Sequence, residues 1–471
     1  MSDMKESELP KPSVPELSVT LNRFLEGIRA IVSGDKYEEA RTLVEDYKKS
    51  EELQKLQEFL KKYAESHENY MTEFWLKENL KNPLPLPINS SPFVLLPKRI
   101  FKTDDQRFRY IARFIIFSLM FEERVHRGEL EQEFSGKQLK KNALSMATYH
   151  HFFAAYRRPG AIKDKHIFSE GGRYFIVVCN NQLFQVNATP FLDSYTSEYG
   201  LIQELEKIER LSKQEPHYPP VGVLTALNRK EWARIREQMI EDDDNKKSIQ
   251  IIENCLFVVC MDESNGDLRK HTRSKSYSNK IFEDRAHHIL HGNKSEHSTG
   301  NRWFDKFIQF IVTKNGVNGI VMERSVSEEI NVLKFCEEFL DFLKKHLNVL
   351  PLRSYDDSER VTRLKWNISE PLAKEIKNAS AVTDAVIISM MLLFSLHNAW
   401  QNDGHLRKCR VEKIQIRSHR QHPRFQPRGF GFLKVHVRSF PESGWKMGEI
   451  PKSREKANRN SSLHNQRRRT G

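Results

Sequence analysis

Between about residues 101 and 349 the sequence alternates short apolar runs with longer helical patterns, and this alternation constrains the fold more than any other feature. The apolar runs are rich in β-branched and aromatic residues, which is typical of buried strands. Helical stretches separate them, such as the one that Asn228 begins and that extends to Ile240. This order of elements predicts an α/β layer fold. The predicted strands are Arg173–Cys179, Gln182–Ala188, Pro219–Thr225, Glu253–Met261 and Phe307–Thr313.

The segments on either side of this region have different patterns. Residues 17–80 predict helices, one opened by a capping box at Asp35 and a second that runs from Glu51 to Leu80. A proline-rich stretch, 81–97, indicates a boundary because proline interrupts helices. A further helix is predicted over Ser327–His346, with Ile330, Leu333, Cys336, Phe339 and Leu343 facing inward.

The positive charge of the chain is confined to its last part. Residues 401–471 contain 18 Lys and Arg against 5 Asp and Glu, which equals the net charge of +13 of the whole chain, so the first 400 residues are neutral. After Val411 the hydrophobic periodicity ends, and we expect residues 412–471 to be a basic, disordered tail. Such a tail is expected to bind anions non-specifically.

Several classes of protein do not fit the composition. No run approaches the ~18 uncharged apolar residues of a membrane span, and the acidic start lacks the apolar core of a secretory signal. The five cysteines are scattered and have the spacing of neither a zinc site nor a disulfide framework. We therefore expect no metal site and a location in the cytoplasm.

Five segments in a fixed order give a specific resemblance. Gly300–Lys306 spells GNRWFDK, leads into an apolar strand and a turn at Asn318-Gly319, and is followed by Glu323-Arg324-Ser325. Together with four earlier segments, this order resembles the choline/carnitine O-acyltransferases over about residues 9–411, and looks nearest to the carnitine acetyltransferases. The earlier segments are Leu9–Leu25, His67–Lys77, Leu144–Gly160 and Pro220–Ala233.

The resemblance implies an α/β fold of two domains, each similar to chloramphenicol acetyltransferase. Residues 93–349 would be a complete catalytic-strand domain, whereas 15–92 and 350–411 would belong to a second domain that is truncated. Residues 1–14 and 412–471 would be tails. The family's own location would be mitochondrial or peroxisomal, but no targeting signal is recognisable in this sequence.

The same resemblance implies the chemistry. Members transfer an acyl group between acyl-CoA and the hydroxyl of carnitine or a similar alcohol, with CoA as substrate and no bound cofactor, and the chain is expected to be a monomer. A histidine acts as general base between a glutamate and a serine or alanine. Here Glu323 and Ser325 occupy the flanking positions, but Arg324 stands at the histidine position. An arginine keeps its proton and cannot accept another from a hydroxyl.

The rest of the implied site also departs from the family pattern. The lysines that meet the CoA 3′-phosphate align with Asp403 and Arg407, and the resemblance stops after Val411. His297 belongs to a Glu-His-Ser triplet, but it precedes the catalytic strand and is predicted to be a solvated loop residue. Three other histidines (His287, His288 and His291) lie on a predicted helix, where a surface or satisfied role is expected.

Two interpretations of Arg324 remain open. It is either a tolerated change in a chain no longer selected for catalysis, or it binds an anion in the tunnel, with Glu323 as an available partner. The sequence thus predicts a family member with impaired acyl transfer. The alternative is a non-catalytic binding or regulatory homologue, or a truncated gene product.

Overall fold

The computed structural model describes residues 9–135, 142–169, 172–188, 196–264, 284–346 and 360–385. The described chain divides into two compact units, one formed by residues 14–60 and the other by residues 9–13 and 61–385. The smaller unit consists of helices α1 (Leu17–Arg29), α2 (Gly34–Tyr47) and most of α3 (Glu51–Glu65).

The larger unit contains a mixed sheet and the helices around it. Its helices are α4 (Tyr70–Lys81), α5 (Leu86–Asn89), α6 (Asp104–His126), α7 (Thr196–Leu211), α8 (Arg229–Met239), α9 (Asp243–Asn254), α10 (284–291), α11 (Glu329–Lys345) and α12 (370–385). Its strands are β1 (Phe93–Leu95), β2 (Phe134–Ser135), β3 (Asn142–Ala143), β4 (Ala155–Arg158), β5 (Lys165–Phe168), β6 (Tyr174–Cys179), β7 (Gln182–Asn187), β8 (Val258–Asp262), β9 (Ile308–Thr313), β10 (Asn318–Met322) and β11 (Val361–Arg363).

Seven of the strands form the central sheet in the order β1-β10-β9-β8-β6-β7-β11. The strand β8 lies in the middle and runs parallel to both neighbours, whereas the outer pairs are antiparallel. Every residue of β8, β9 and β10 is buried, so these strands are covered on both faces and are apolar along most of their length. The hairpin between β6 and β7 turns at Asn180 and Asn181, whose positive φ angles suit a type I′ turn.

One face of the sheet packs against α6, α7 and α11 in the main hydrophobic core. Helix α6 begins after Thr103, whose hydroxyl accepts a hydrogen bond from the Gln106 amide, and two aspartates in its first turn suit the helix dipole. Phe114 of α6 stacks on Phe310 of β9 with ring centroids 3.6 Å apart, and Phe339 of α11 meets Phe114 edge-on. The aromatic side chains therefore attach the helix layer to the sheet.

The strands predicted around β6, β7 and β9 and the helix α8 with its Asn228 cap are confirmed within one residue. The predicted strand Pro219–Thr225 is wrong, since Val221–Ala226 form a buried 3₁₀ helix. At Gly222 a Cβ atom would lie 2.4 Å from the carbonyl oxygens of Gly300 and Arg302, so this turn packs tightly against another loop. A short buried apolar run has the same hydrophobicity in either conformation.

Other boundaries also differ from the prediction. The helix predicted from Glu51 to Leu80 is divided into α3 and α4, because Asn69 accepts a hydrogen bond from the Met71 amide and starts a new helix. Helix α2 begins at Gly34 without a side-chain cap at its N-cap residue, so the predicted capping box at Asp35 is wrong.

The strand predicted over Glu253–Met261 is confined to β8, because Glu253 belongs to the end of α9. The turn expected at Asn318-Gly319 lies earlier, around Gly316, and Asn318 already begins β10. In α11 the inward positions Cys336, Phe339 and Leu343 are confirmed, but Ile330 is 55% exposed.

No helix in the described part of the chain is long and apolar enough to cross a membrane.

Candidate active site

The segment Glu323-Arg324-Ser325 leaves the end of β10 and turns toward α11. Backbone hydrogen bonds hold it there: the Glu323 amide donates to the Phe307 carbonyl and the Arg324 amide to the Ser90 carbonyl, both at 2.9 Å. The three predicted site residues therefore sit at a defined edge of the sheet, between the start of β9 and the chain that precedes β1.

The carboxylate of Glu323 is buried and is held by four donors. Oε1 accepts from Ser90 Oγ at 2.7 Å and from Arg157 Nη1 at 2.8 Å. Oε2 accepts from the Ser325 amide at 3.1 Å and from the Ser325 hydroxyl. Burial alone would raise the pKa of Glu323, but the Arg157 ion pair and these hydrogen bonds lower it below its ordinary value. Glu323 is therefore ionised.

The guanidinium of Arg324 forms an ion pair with Glu329 at the start of α11, with 3.5 Å between Nη1 and Oε1, and its side chain is 20% exposed. The charge of Glu323 is balanced instead by Arg157 from β4. Arg324 thus belongs to a partly exposed ion pair, whereas the buried carboxylate of Glu323 pairs with Arg157.

Arg157 belongs to a buried ion network that supports this edge of the sheet. Its Nε donates to Asp164 at 2.7 Å, and Asp164 also accepts from Arg229 Nε at 2.8 Å. Arg229 continues to Asp305, with 2.6 Å between Nη1 and Oδ1. Each of these four side chains is at most 2% exposed. Buried charges of this kind are tolerated because each is paired and hydrogen-bonded.

The GNRWFDK segment takes part in this support. Asp305 Oδ2 accepts from Trp232 Nε1 at 2.6 Å and from the Tyr156 hydroxyl at 3.0 Å. Arg302 forms a buried pair with Asp262 of β8, with 2.7 Å between Nη2 and Oδ2. Burial would raise the pKa of Asp262, but Arg302 and His288 of α10 lower it below its ordinary range. These contacts identify the segment as a structural part of the domain.

Ser325 has a partner that lies far from it in the sequence. His166 of β5 is 159 positions away, and its Nε2 is 2.7 Å from Ser325 Oγ. The serine is buried, whereas the His166 ring is partly exposed. The edge of the sheet thus combines a buried carboxylate, a hydroxyl and an imidazole, joined in that order by hydrogen bonds.

Comparison with known proteins identifies the family to which this architecture belongs. A sequence model of the choline/carnitine o-acyltransferases matches residues 12–412. The chain belongs to the choline/carnitine O-acyltransferase family. It is 27% identical over 453 residues to choline O-acetyltransferase of Homo sapiens, an alignment that covers 93% of this chain and 59% of that protein.

Other members are similar to a comparable degree. Choline O-acetyltransferase of Drosophila melanogaster is 30% identical over 398 residues, which cover 80% of this chain and 55% of that protein. Carnitine O-acetyltransferase of Rattus norvegicus is 29% identical over 400 residues, which cover 82% of this chain and 61% of that protein. This family member therefore spans less than two thirds of the length of these relatives.

The four histidines considered as alternative bases, His287, His288, His291 and His297, differ in burial. His297 is exposed, as predicted. The three histidines of α10 are buried, which excludes the surface alternative, and His288 Nε2 lies 2.9 Å from Asp262 Oδ2. Among the described residues, no cluster of His, Cys, Asp and Glu has the geometry of a metal site. The predicted CoA positions Asp403 and Arg407 lie outside the described residues.

Sequence reasoning did not find Arg157, Asp164 or His166. Arg157 lies on β4, just before the Pro159-Gly160 pair that ends a family-like segment, and Asp164 lies in the turn after that pair; this position was the available signal for both residues. His166 follows two residues later on β5, a strand of only four residues. Its link to Ser325 becomes visible only when β4 and β5 are paired in register.

Proposed function

We propose that the sheet and its helices form the catalytic-strand domain of a choline/carnitine O-acyltransferase, and that acyl transfer is impaired in this chain. The reaction would move an acyl group between acyl-CoA and the hydroxyl of carnitine or a choline-like alcohol, giving an ester and CoA. The observation that supports impairment is the end of β10, where Glu323 and Ser325 are held in place but Arg324 occupies the histidine position.

The reaction needs a base at this point. Attack of a hydroxyl on a thioester requires that a group accept the hydroxyl proton and then return it to the leaving thiolate. Arg324 cannot accept a proton. Glu323 is not placed to replace it, because both of its oxygens already accept hydrogen bonds from buried donors. Loss of a general base typically costs about 10²–10⁴-fold in rate.

The second part of the proposal concerns the domain arrangement and CoA. We infer that this domain is the first of two domains similar to chloramphenicol acetyltransferase, with residues 15–92 and 350–411 in the second. Asp403 would face the CoA 3′-phosphate where relatives are expected to have lysine, and a carboxylate repels phosphate oxygens. Binding of acyl-CoA would therefore be weaker than in a member with both lysines.

The test is release of free thiol from acetyl-CoA in the presence of carnitine or choline. Arg324→His should raise the rate, by up to about 10²–10⁴-fold if the base is the limiting defect. Arg324→Gln is the matched control, because it removes the same charge without supplying a base, and it should give no gain. Equal rates for the unmodified chain and Arg324→His would contradict the proposal.

A second function is supported by the ion network. Arg157, Asp164, Arg229 and Asp305 form buried ion pairs with one another. These pairs would keep the domain folded whatever residue stands at position 324, which a non-catalytic binding or regulatory homologue would need. Calorimetric titration with acetyl-CoA separates the two functions: saturable binding without thiol release, even in Arg324→His, would support the second.

A further inference from the structure

The position of His166 follows from the pairing of two short strands. In the antiparallel pair of β4 and β5, Arg157 lies directly opposite His166. Side chains of directly opposed residues lie on the same face of such a pair. Both therefore extend toward the end of β10, where Arg157 contacts Glu323 and His166 contacts Ser325. One pair of opposed residues thus supplies two of the contacts around the Glu-Arg-Ser segment.

The hydrogen bonds determine which nitrogen of His166 carries a proton. An ionised carboxylate can only accept, so the Ser325 hydroxyl must donate its single proton to Glu323 Oε2. Ser325 Oγ can then only accept from His166, whose Nε2 must be protonated. In a neutral imidazole the other nitrogen is then unprotonated. Nδ1 of His166 is therefore the basic atom of the ring.

We propose that His166 is the general base for the residual acyl transfer of this chain, a slower reaction than a histidine at position 324 would support. This inference rests on the proposed acyl transfer. The proton of the acceptor hydroxyl passes to Nδ1 of His166, and the oxygen forms a bond to the thioester carbonyl carbon. The bond from that carbon to sulfur breaks, and the imidazolium returns the proton to the CoA thiolate. Glu323 and Ser325 orient the ring and stabilise its charged form.

The surroundings of His166 favour the neutral form near neutral pH. Burial lowers its pKa below the ordinary value, and this effect is opposed by the Glu323 carboxylate. Arg157 on β4 and His151 at the end of a 3₁₀ helix lower the pKa further, whereas Asp164 raises it. The rate should therefore rise with pH through a pKa below the ordinary value of about 6.5, because the protonated ring cannot accept a proton.

The experiment measures thiol release from acetyl-CoA with carnitine or choline by the full chain and by His166→Gln. Glutamine places an amide N–H where Nε2–H donates to Ser325 but has no basic atom, so the fold should be kept. Its residual rate should fall further, by up to about 10²–10⁴-fold. His297→Gln, at an exposed histidine, is the matched control and should retain the rate of the unmodified chain. The double variant Arg324→His/His166→Gln should be as fast as Arg324→His alone, because the histidine at position 324 then acts as the base.

A second measurement does not depend on turnover. Long-range ¹H–¹⁵N spectra of histidine-labelled protein, assigned by the loss of one ring in His166→Gln, should show the Nε2–H tautomer of His166. Unchanged thiol release in His166→Gln, or a proton on Nδ1, would overturn the inference. If Arg324→His releases thiol and the unmodified chain does not, His166 is not a base although the proposed function stands. If neither releases thiol, the proposed function fails and the inference fails with it.

Discussion

Replacement of Arg157 by methionine should be among the most damaging single changes in the larger unit. The side chain is 1% exposed and contacts Asp164 at 2.7 Å, Glu323 at 2.8 Å and the Asn79 carbonyl at 2.8 Å. Asp164 would keep Arg229, but Glu323 would lose the cation that balances its charge. Removing one partner of a buried ion pair costs about 3–5 kcal/mol, because the remaining charge is left uncompensated.

The neighbouring residue of the same strand provides a matched control. Arg158 is 37% exposed and pairs with Glu253, which also has Arg236 as a partner. Arg158→Met should therefore cost only about 0–1 kcal/mol, as is usual for a partly exposed ion pair. The assay is urea unfolding of each full chain, followed by circular dichroism. The double variant Arg157→Met/Glu323→Gln should recover much of the loss, because it removes the stranded charge as well.

The dependence on pH gives a second, independent check. In the unmodified chain the pKa of Glu323 is lowered, so its ionised form stabilises the fold above the unfolded-state pKa. Without Arg157, burial would raise that pKa, and ionisation would then destabilise the fold. The free-energy difference between the two chains should accordingly be larger at about pH 8 than at about pH 5. Equal losses for Arg157→Met and Arg158→Met, or a difference independent of pH, would refute the reasoning.

Two further predictions concern other buried or tightly packed positions. Asp262→Asn should lower the unfolding free energy by about 3–5 kcal/mol at neutral pH, because it strands the buried Arg302. Since the pKa of Asp262 is lowered in the fold, this gap should shrink as pH falls below about 3.9, and urea unfolding across that range checks it. Gly316→Ala should lower the melting temperature, because φ is +81° and the added Cβ would lie 1.9 Å from the Arg99 carbonyl oxygen. Gly27→Ala in α1, where nothing lies within 4 Å of the added Cβ, should instead raise stability by about 0.5–1 kcal/mol, and shifts of the same sign would contradict this account.

The parts of the fold that local sequence could predict are those with a strong periodic signal. The strands β6, β7 and β9 are runs of β-branched and aromatic residues, and α8 begins at a capping asparagine. Val221–Ala226 was mistaken for a strand because a buried 3₁₀ turn and a buried strand share the same apolar composition. Its conformation depends on close contact with the loop at Gly300, and this contact has no local signature.

The candidate site was predictable only in part, for a related reason. Arg324 could be located because it lies within a linear motif next to Glu323 and Ser325. The partners of those residues could not, since Arg157 and His166 are 166 and 159 positions away and lie on strands of four residues each. Strands of four residues carry little periodic signal. Their register, and with it the chemistry around Ser325, depends on tertiary packing.

Arg324 and Glu323 have different ion-pair partners, and this makes the comparison of thiol release between the unmodified chain and Arg324→His interpretable. Because Arg324 pairs with Glu329 while Glu323 pairs with Arg157, exchange of Arg324 leaves the buried pair of Glu323 and Arg157 in place. The backbone hydrogen bond from the Arg324 amide to the Ser90 carbonyl does not depend on the side chain. Arg324→His should thus change stability by no more than about 1 kcal/mol, as is usual for a partly exposed ion pair. A change in thiol release between the two chains would then report on proton transfer, since the carboxylate, the serine and His166 keep their positions in both.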